Sequence, residues 1–93
     1  MFTWDLRKDL RNRKKHGVSF LEAATVFEDP NGLEWADLEH SSDEVRLKRL
    51  GLSVAGRVLI LVYTARKNKD GKETHRIISA RRPSQREGQA YRG

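Results

Sequence analysis

Apolar side chains recur at Phe20, Ala23, Ala24 and Phe27, the i, i+3, i+4, i+7 spacing of a single helical face. Ser19-Phe20-Leu21-Glu22 opens this run as a capping box, in which hydroxyl and carboxylate each take an orphan amide proton. Asp29-Pro30-Asn31-Gly32 stops it. An earlier helix is predicted from Asp5, a good N-cap, to Gly17, with Lys14, Lys15 and His16 in the last turn, where cations suit the dipole. Its only apolar stripe is Leu6 and Leu10, expected to face the core. Phe2-Thr3-Trp4 reads as a short leading strand.

Beyond Gly32 the period changes to two. Leu33 to Leu38 predicts a strand, followed by a polar loop over His40-Ser41-Ser42-Asp43-Glu44. Val45, Leu47, Leu50 and Leu52 continue the alternation with a phase slip near Arg49, which predicts a bulge there. Val58 to Tyr63 is apolar on both faces, the mark of a central strand. Asn68-Lys69-Asp70-Gly71-Lys72 is a hairpin loop, and Thr74 to Ala80 returns beside its partner. Pro83 ends the ladder, and Ser84, with Glu87 three residues on, starts a terminal helix to Tyr91. The expected fold is α+β, one domain over residues 1–93. Its antiparallel sheet carries two N-terminal helices packed on it and a short C-terminal helix.

Charge changes this picture by its distribution. The net value of +6 conceals an acidic block, residues 22–44, with eight carboxylates and no Lys or Arg. Basic blocks flank it: residues 1–21 carry six cations against two acids, and 66–93 carry nine against three. Such segregation predicts a basic functional surface and a separate acidic one. There are no cysteines, so disulfides and thiolate zinc sites are excluded. The longest apolar run is far below the ~20 residues that span a bilayer, and Met1 to Asp5 lacks a signal peptide's apolar core, so a cytoplasmic location without membrane contact is expected.

The candidate chemistry follows from the cations. Arg66 ends the central strand, while Arg76, Arg81 and Arg82 lie on or just after the next one. Strict alternation puts Arg76, Ile78, Ala80 and Arg82 on one face, and His75, Ile77, Ser79 and Arg81 on the other. Which set joins Arg66 depends on a register the sequence leaves open. Guanidinium forks suit phosphate, and RNA is cleavable without a metal because its 2′-hydroxyl attacks the neighbouring phosphate. Cations around the phosphorane and a proton carrier then suffice. His16 and Tyr91 are candidate proton carriers; His40 and His75 read equally well as structural histidines. The three histidines lack metal-ligand spacing, so no metal or other cofactor is expected. Arg57, in a turn, is expected to matter little.

Three stretches together resemble the BrnT toxins of bacterial BrnT/BrnA toxin–antitoxin modules. They are "FTWDLRKDLRNRKKHGVSFLEAATVFEDP", "RLKRLGLSVAGRVLILVYTAR" and "HRIISARRPSQREGQAY", covering nearly the whole chain. The hairpin "KNKDGKETH" is longer and more basic than in many members, and Pro83 stands where alanine is common. The resemblance implies a RelE-like fold and a metal-independent ribonuclease that inhibits translation. It also implies neutralisation by a BrnA-type antitoxin and a joint complex that binds operator DNA and represses its own operon. Carried onto this chain, it implies catalytic roles for Arg66, Arg81, Arg82 and His16, and RNA contacts from Lys14, Lys15, Arg76 and Tyr91. The alternative is a non-catalytic nucleic-acid-binding subunit of the repressor.

Overall fold

Asp5 caps the first helix, α1 (Leu6–His16), by accepting the amide protons of Arg7 and Lys8, and Gly17 ends it in the left-handed region at φ 69°. The computed structural model that shows this describes residues 1–42 and 44–93; Asp43, in the expected polar loop, lies outside the described residues. Ser19 caps α2 (Phe20–Ala24), which tightens into a 3-10 turn over Thr25–Glu28. The strands are β1 (Phe2–Thr3), β2 (Leu33–Ala36), β3 (Arg46–Leu52), β4 (Val58–Lys67) and β5 (Glu73–Arg81). A 3-10 turn at Leu38–His40 follows β2, and α3 (Gln85–Arg92) closes the chain with the reciprocal Ser84–Glu87 capping box.

The sheet order is β1-β5-β4-β3-β2, which puts the apolar β4 at the centre. The sheet is mixed rather than antiparallel throughout. β1 adds to the outer edge of β5 in parallel, with Phe2 opposite His75 and Thr3 opposite Arg76, while the other three pairings are antiparallel. An antiparallel meander was the natural expectation for sequential strands joined by short turns, whereas β1 is separated from β5 by most of the chain.

One face of the sheet is covered. Leu59, Leu61, Tyr63, Ile77 and Ala80 meet Val18, Phe20, Ala23, Ala24 and Val26 there, with Phe2, Trp4, Phe27 and Leu47 packed around them. The approach is close: a Cβ on Gly51 would come 2.9 Å from Val26 Cγ1. The helix α1 contributes to this face in an unexpected way. Leu6 and Leu10 are 66% and 51% exposed, and the buried side chains of α1 are Asp9 and Asn12. Asp9 accepts the amide of Phe20 at 2.8 Å, which ties α1 to the start of α2. Asn12 donates to the carbonyls of Val18 and Ala80 and accepts from the amide of Ala80. Hydrogen bonds to backbone, not a leucine stripe, seat this helix.

The bulge is also displaced from its expected place. β3 pairs with β4 without interruption from Arg46 to Leu52. The slip lies instead between β4 and β5, where Val62 opposes Ser79 and Tyr63 opposes Ile77, leaving Ile78 extra. The broken alternation near Arg49 has a different cause. Arg49 occupies a position facing the helices, where its guanidinium lies 5.1 Å over the Phe27 ring and reaches Glu34 Oε1 at 3.4 Å. Arg57 is likewise not idle, because its fork grips both carboxylate oxygens of Glu22 and the carbonyl of Gly17.

Candidate active site

The second face of the sheet carries no helix over its middle. Register places its side chains in rows across β3, β4 and β5: Arg46, Thr64 and Arg76; then Lys48, Val62 and Ser79; then Leu50, Ile60 and Arg81. Trp35 of β2 extends the second row beside Lys48, and its indole is 39% exposed. These rows floor a cleft of about 250 Å³ lined by Asp37, His40, Arg46, Lys48, Val62, Ile78, Ser79 and Arg81. Three cations therefore converge on one depression.

Its wall is built by the segment after β2. Asp37 is held by its amide on the carbonyl of Arg46 at 2.7 Å, and its carbonyl accepts the Ser41 hydroxyl. The following 3-10 turn brings His40 back over it, with Nδ1 at 3.0 Å from Asp37 Oδ2 and 3.2 Å from Oδ1. The carboxylate can only accept, so Nδ1 carries the proton and Nε2 is the nitrogen able to accept one. The Asp37 side chain is 7% exposed and the imidazole 57%. A buried acid thus fixes the orientation of an accessible base.

The predicted site residues divide. Arg81 lines the cleft, and Arg76 shares its face two rows away. Arg81 also donates to Glu87 of α3 at 2.7 and 3.1 Å; this pairing, more than any other influence, brings the Glu87 carboxyl down to about 2. The bulge at Ile78 puts Arg76 and Arg81 on one face, which strict alternation had separated. Arg66 lies on the same face at the far end of β4, where it holds Glu44 at 2.8 and 3.0 Å and keeps that carboxyl below its usual range. Arg82 is exposed and helps to lower Glu22, whose main partner is Arg57. Tyr91 donates to Asp29, which lies apart from the cleft and also accepts the Leu52 amide. Lys15 and His16 line a separate groove beside α1 with Lys8, Arg11, Asn12, Ile78 and Ser79, while Lys14 stays exposed on the helix end.

Sequence reasoning missed Asp37, Arg46 and Lys48 and left His40 undecided between a structural and a functional role. The signal was available in the acidic block. Five of its eight carboxylates are drawn into the fold: Glu22, Asp29, Glu34, Asp37 and Glu44 are each taken by an internal partner. A histidine three residues after an acid in such a block is a candidate pair.

A mixed sheet with α1 and α2 on one face, and a cleft of three cations around an acid–histidine pair on the other, defines a small α+β protein with a cationic candidate site. The family profile described as "Ribonuclease toxin, BrnT, of type II toxin-antitoxin system" matches residues 4–87, and the chain belongs to that family of ribonuclease toxins. A crystal structure at 1.1 Å of the ribonuclease toxin BrnT of Brucella abortus has the same fold. It aligns with a TM-score of 0.65 and 22% identity over 91% of this chain and 99% of that one. None of the curated proteins matches the chain.

Proposed function

We propose that the cleft cleaves RNA without a metal, by attack of the substrate's 2′-hydroxyl on the adjacent phosphate. The observation that carries this reading is the Asp37–His40 pair set among Arg46, Lys48 and Arg81. His40 Nε2 accepts the 2′-hydroxyl proton as the new P–O bond forms. Arg46 and Arg81 offset the charge that builds on the phosphorane oxygens. The P–O5′ bond then breaks, and Lys48 is the group to protonate the leaving oxygen, since a guanidinium does not give up its proton. The products are a 2′,3′-cyclic phosphate and a 5′-hydroxyl. Trp35 offers a flat face to a base next to the scissile phosphate. In this reading Arg76 and Arg66 guide the strand along the same face, and the fold works as a RelE-like toxin that halts translation. A BrnA-type antitoxin covers the cleft, and the complex represses its operon through operator DNA.

The test is incubation of purified, antitoxin-free protein with single-stranded RNA and a chelator. Fragments ending in cyclic phosphate are expected. Cleavage restored only by added magnesium would refute the mechanism, and absence of cleavage on free and ribosome-bound RNA would leave a nucleic-acid-binding subunit.

A further inference from the structure

The groove beside α1 is not an isolated basic patch. Lys8, Arg11 and Lys15 lie at i, i+3 and i+7, so they form one row along the helix, about 10 Å long at 1.5 Å per residue. All three are exposed, and among the described residues none is in an ion pair with a carboxylate, in contrast to Arg13, which meets Asp9 at 3.6 Å. The groove has a volume of about 200 Å³ and is floored by Asn12, Ile78 and Ser79.

Ile78 and Ser79 also line the cleft on the sheet's open face. The two depressions therefore meet across a single ridge, the stretch of β5 at its bulge. Two features leave this ridge accessible. β1 pairs with β5 only at His75 and Arg76, so among the described residues no strand covers the outer edge of β5, opposite β4, from Ile78 to Arg81. The edge there is closed by the Asn12 carboxamide, which is far smaller than a strand. The extra residue at the bulge further bends the strand out of its ladder.

We propose that single-stranded RNA crosses this ridge, with its scissile phosphate in the cleft and phosphates a few nucleotides away on the Lys8–Arg11–Lys15 row. The proposal rests on the cleavage reading above for the direction of the strand, but the groove itself is a separate binding surface. A single strand fits better than a duplex, because a flexible backbone can bend over a ridge that a stiff helix must bridge. Each cation engaged on a single strand contributes about −0.7 to the slope of log K against log salt.

The experiment compares wild type with Lys8→Ala/Arg11→Ala, two exposed changes away from the cleft, after matched circular dichroism. Binding of a 2′-O-methyl 20-mer, which cannot be cleaved, is titrated with salt. The variant is expected to bind at least tenfold more weakly at low salt, with a slope shallower by about 1.4. With cleavable substrates, its rise in KM should be at least tenfold larger on a 20-mer than on a dinucleotide. An unchanged slope in a protein that still cleaves RNA would overturn the track and leave the cleavage reading standing. A shallower slope in a protein that cleaves nothing would support the track and remove the cleavage reading. Loss of binding to duplex DNA with none to single-stranded RNA would overturn the proposal in favour of an operator-contacting surface.

Discussion

Asn12 and Ala80, 68 positions apart, exchange two hydrogen bonds: the carboxamide donates to the Ala80 carbonyl at 2.7 Å and accepts its amide at 3.1 Å. A neighbouring strand would make the same pair of contacts. The side chain therefore completes the edge of β5 where β1 stops, and its second donor proton anchors the Val18 carbonyl ahead of α2. One residue thus joins α1, the turn into α2 and the strand that carries Arg81.

Removing this carboxamide should be costly because it strands backbone groups in a buried position. Asn12→Ala leaves the Ala80 amide and two carbonyls without their partner, which is expected to cost about 2–4 kcal/mol. For a domain of this size that lowers Tm by on the order of 10–20 °C. Asn12→Asp should be no better, since a carboxylate cannot donate to either carbonyl. Thermal melting of the two variants checks this; a loss of only a few degrees would show that water replaces the bridge.

The Asp37–His40 pair makes a graded prediction for catalysis. His40→Ala should lower kcat by on the order of 10²–10⁴, the usual range for a lost proton carrier. Asp37→Asn keeps a similar shape yet offers no full carboxylate to hold the imidazole, so a smaller loss is expected. His16→Ala should leave kcat on short RNA within a few fold, since His16 lines the groove beside α1 and not the cleft. Single-turnover rates on a short RNA decide the order, and equal losses for His16 and His40 would contradict it.

The arginines should also separate. Arg81 lines the cleft and on the proposed mechanism faces the phosphorane, so Arg81→Ala is expected to lose about 2–4 kcal/mol of transition-state stabilisation. Arg66 is held by Glu44 outside the cleft, and Arg66→Ala should raise KM more than it lowers kcat. Arg82→Ala should do little to either, because Arg82 lies near Glu22. Steady-state kinetics of the three variants on one substrate measures the split. A kcat loss for Arg66 equal to that for Arg81 would place both at the reacting phosphate.

Much of the fold could be read from local signals. Caps at Asp5, Ser19 and Ser84, the stop at Gly17, the hairpin at Asn68 and the central β4 all rest on interactions within a few residues. The parallel β1 could not be read, since nothing local records that the first strand joins the last. The inward faces of Asp9, Asn12 and Arg49 defeated hydrophobic periodicity because each is a polar group held by a partner distant in sequence, the backbone for Asp9 and Asn12 and the Phe27 ring for Arg49. The site was legible only in kind. Arginine-rich ends gave its charge, but the bulge at Ile78 decided which cations share a face. The acid–histidine pair lay in a segment that charge counting had assigned to another surface.

Glu87 couples α3 to the site, and its titration should be visible in stability. Its carboxyl sits at about 2 against an ordinary 4.5, first because Arg81 donates two hydrogen bonds to it and then because the Ser84 amide adds another. The charged form is thus favoured in the folded protein. The stabilisation is fully present above about pH 4.5 and is lost as pH falls through about 2. Arg81 is partly exposed, so solvent screening limits the contribution to about 1 kcal/mol. Glu87→Gln removes this titration and leaves the other carboxylates in place. The wild type should therefore have the higher Tm at neutral pH, and the two melting temperatures should converge as pH falls from 4.5 towards 2. Parallel curves over that range would show that Arg81 and Glu87 are not coupled in solution.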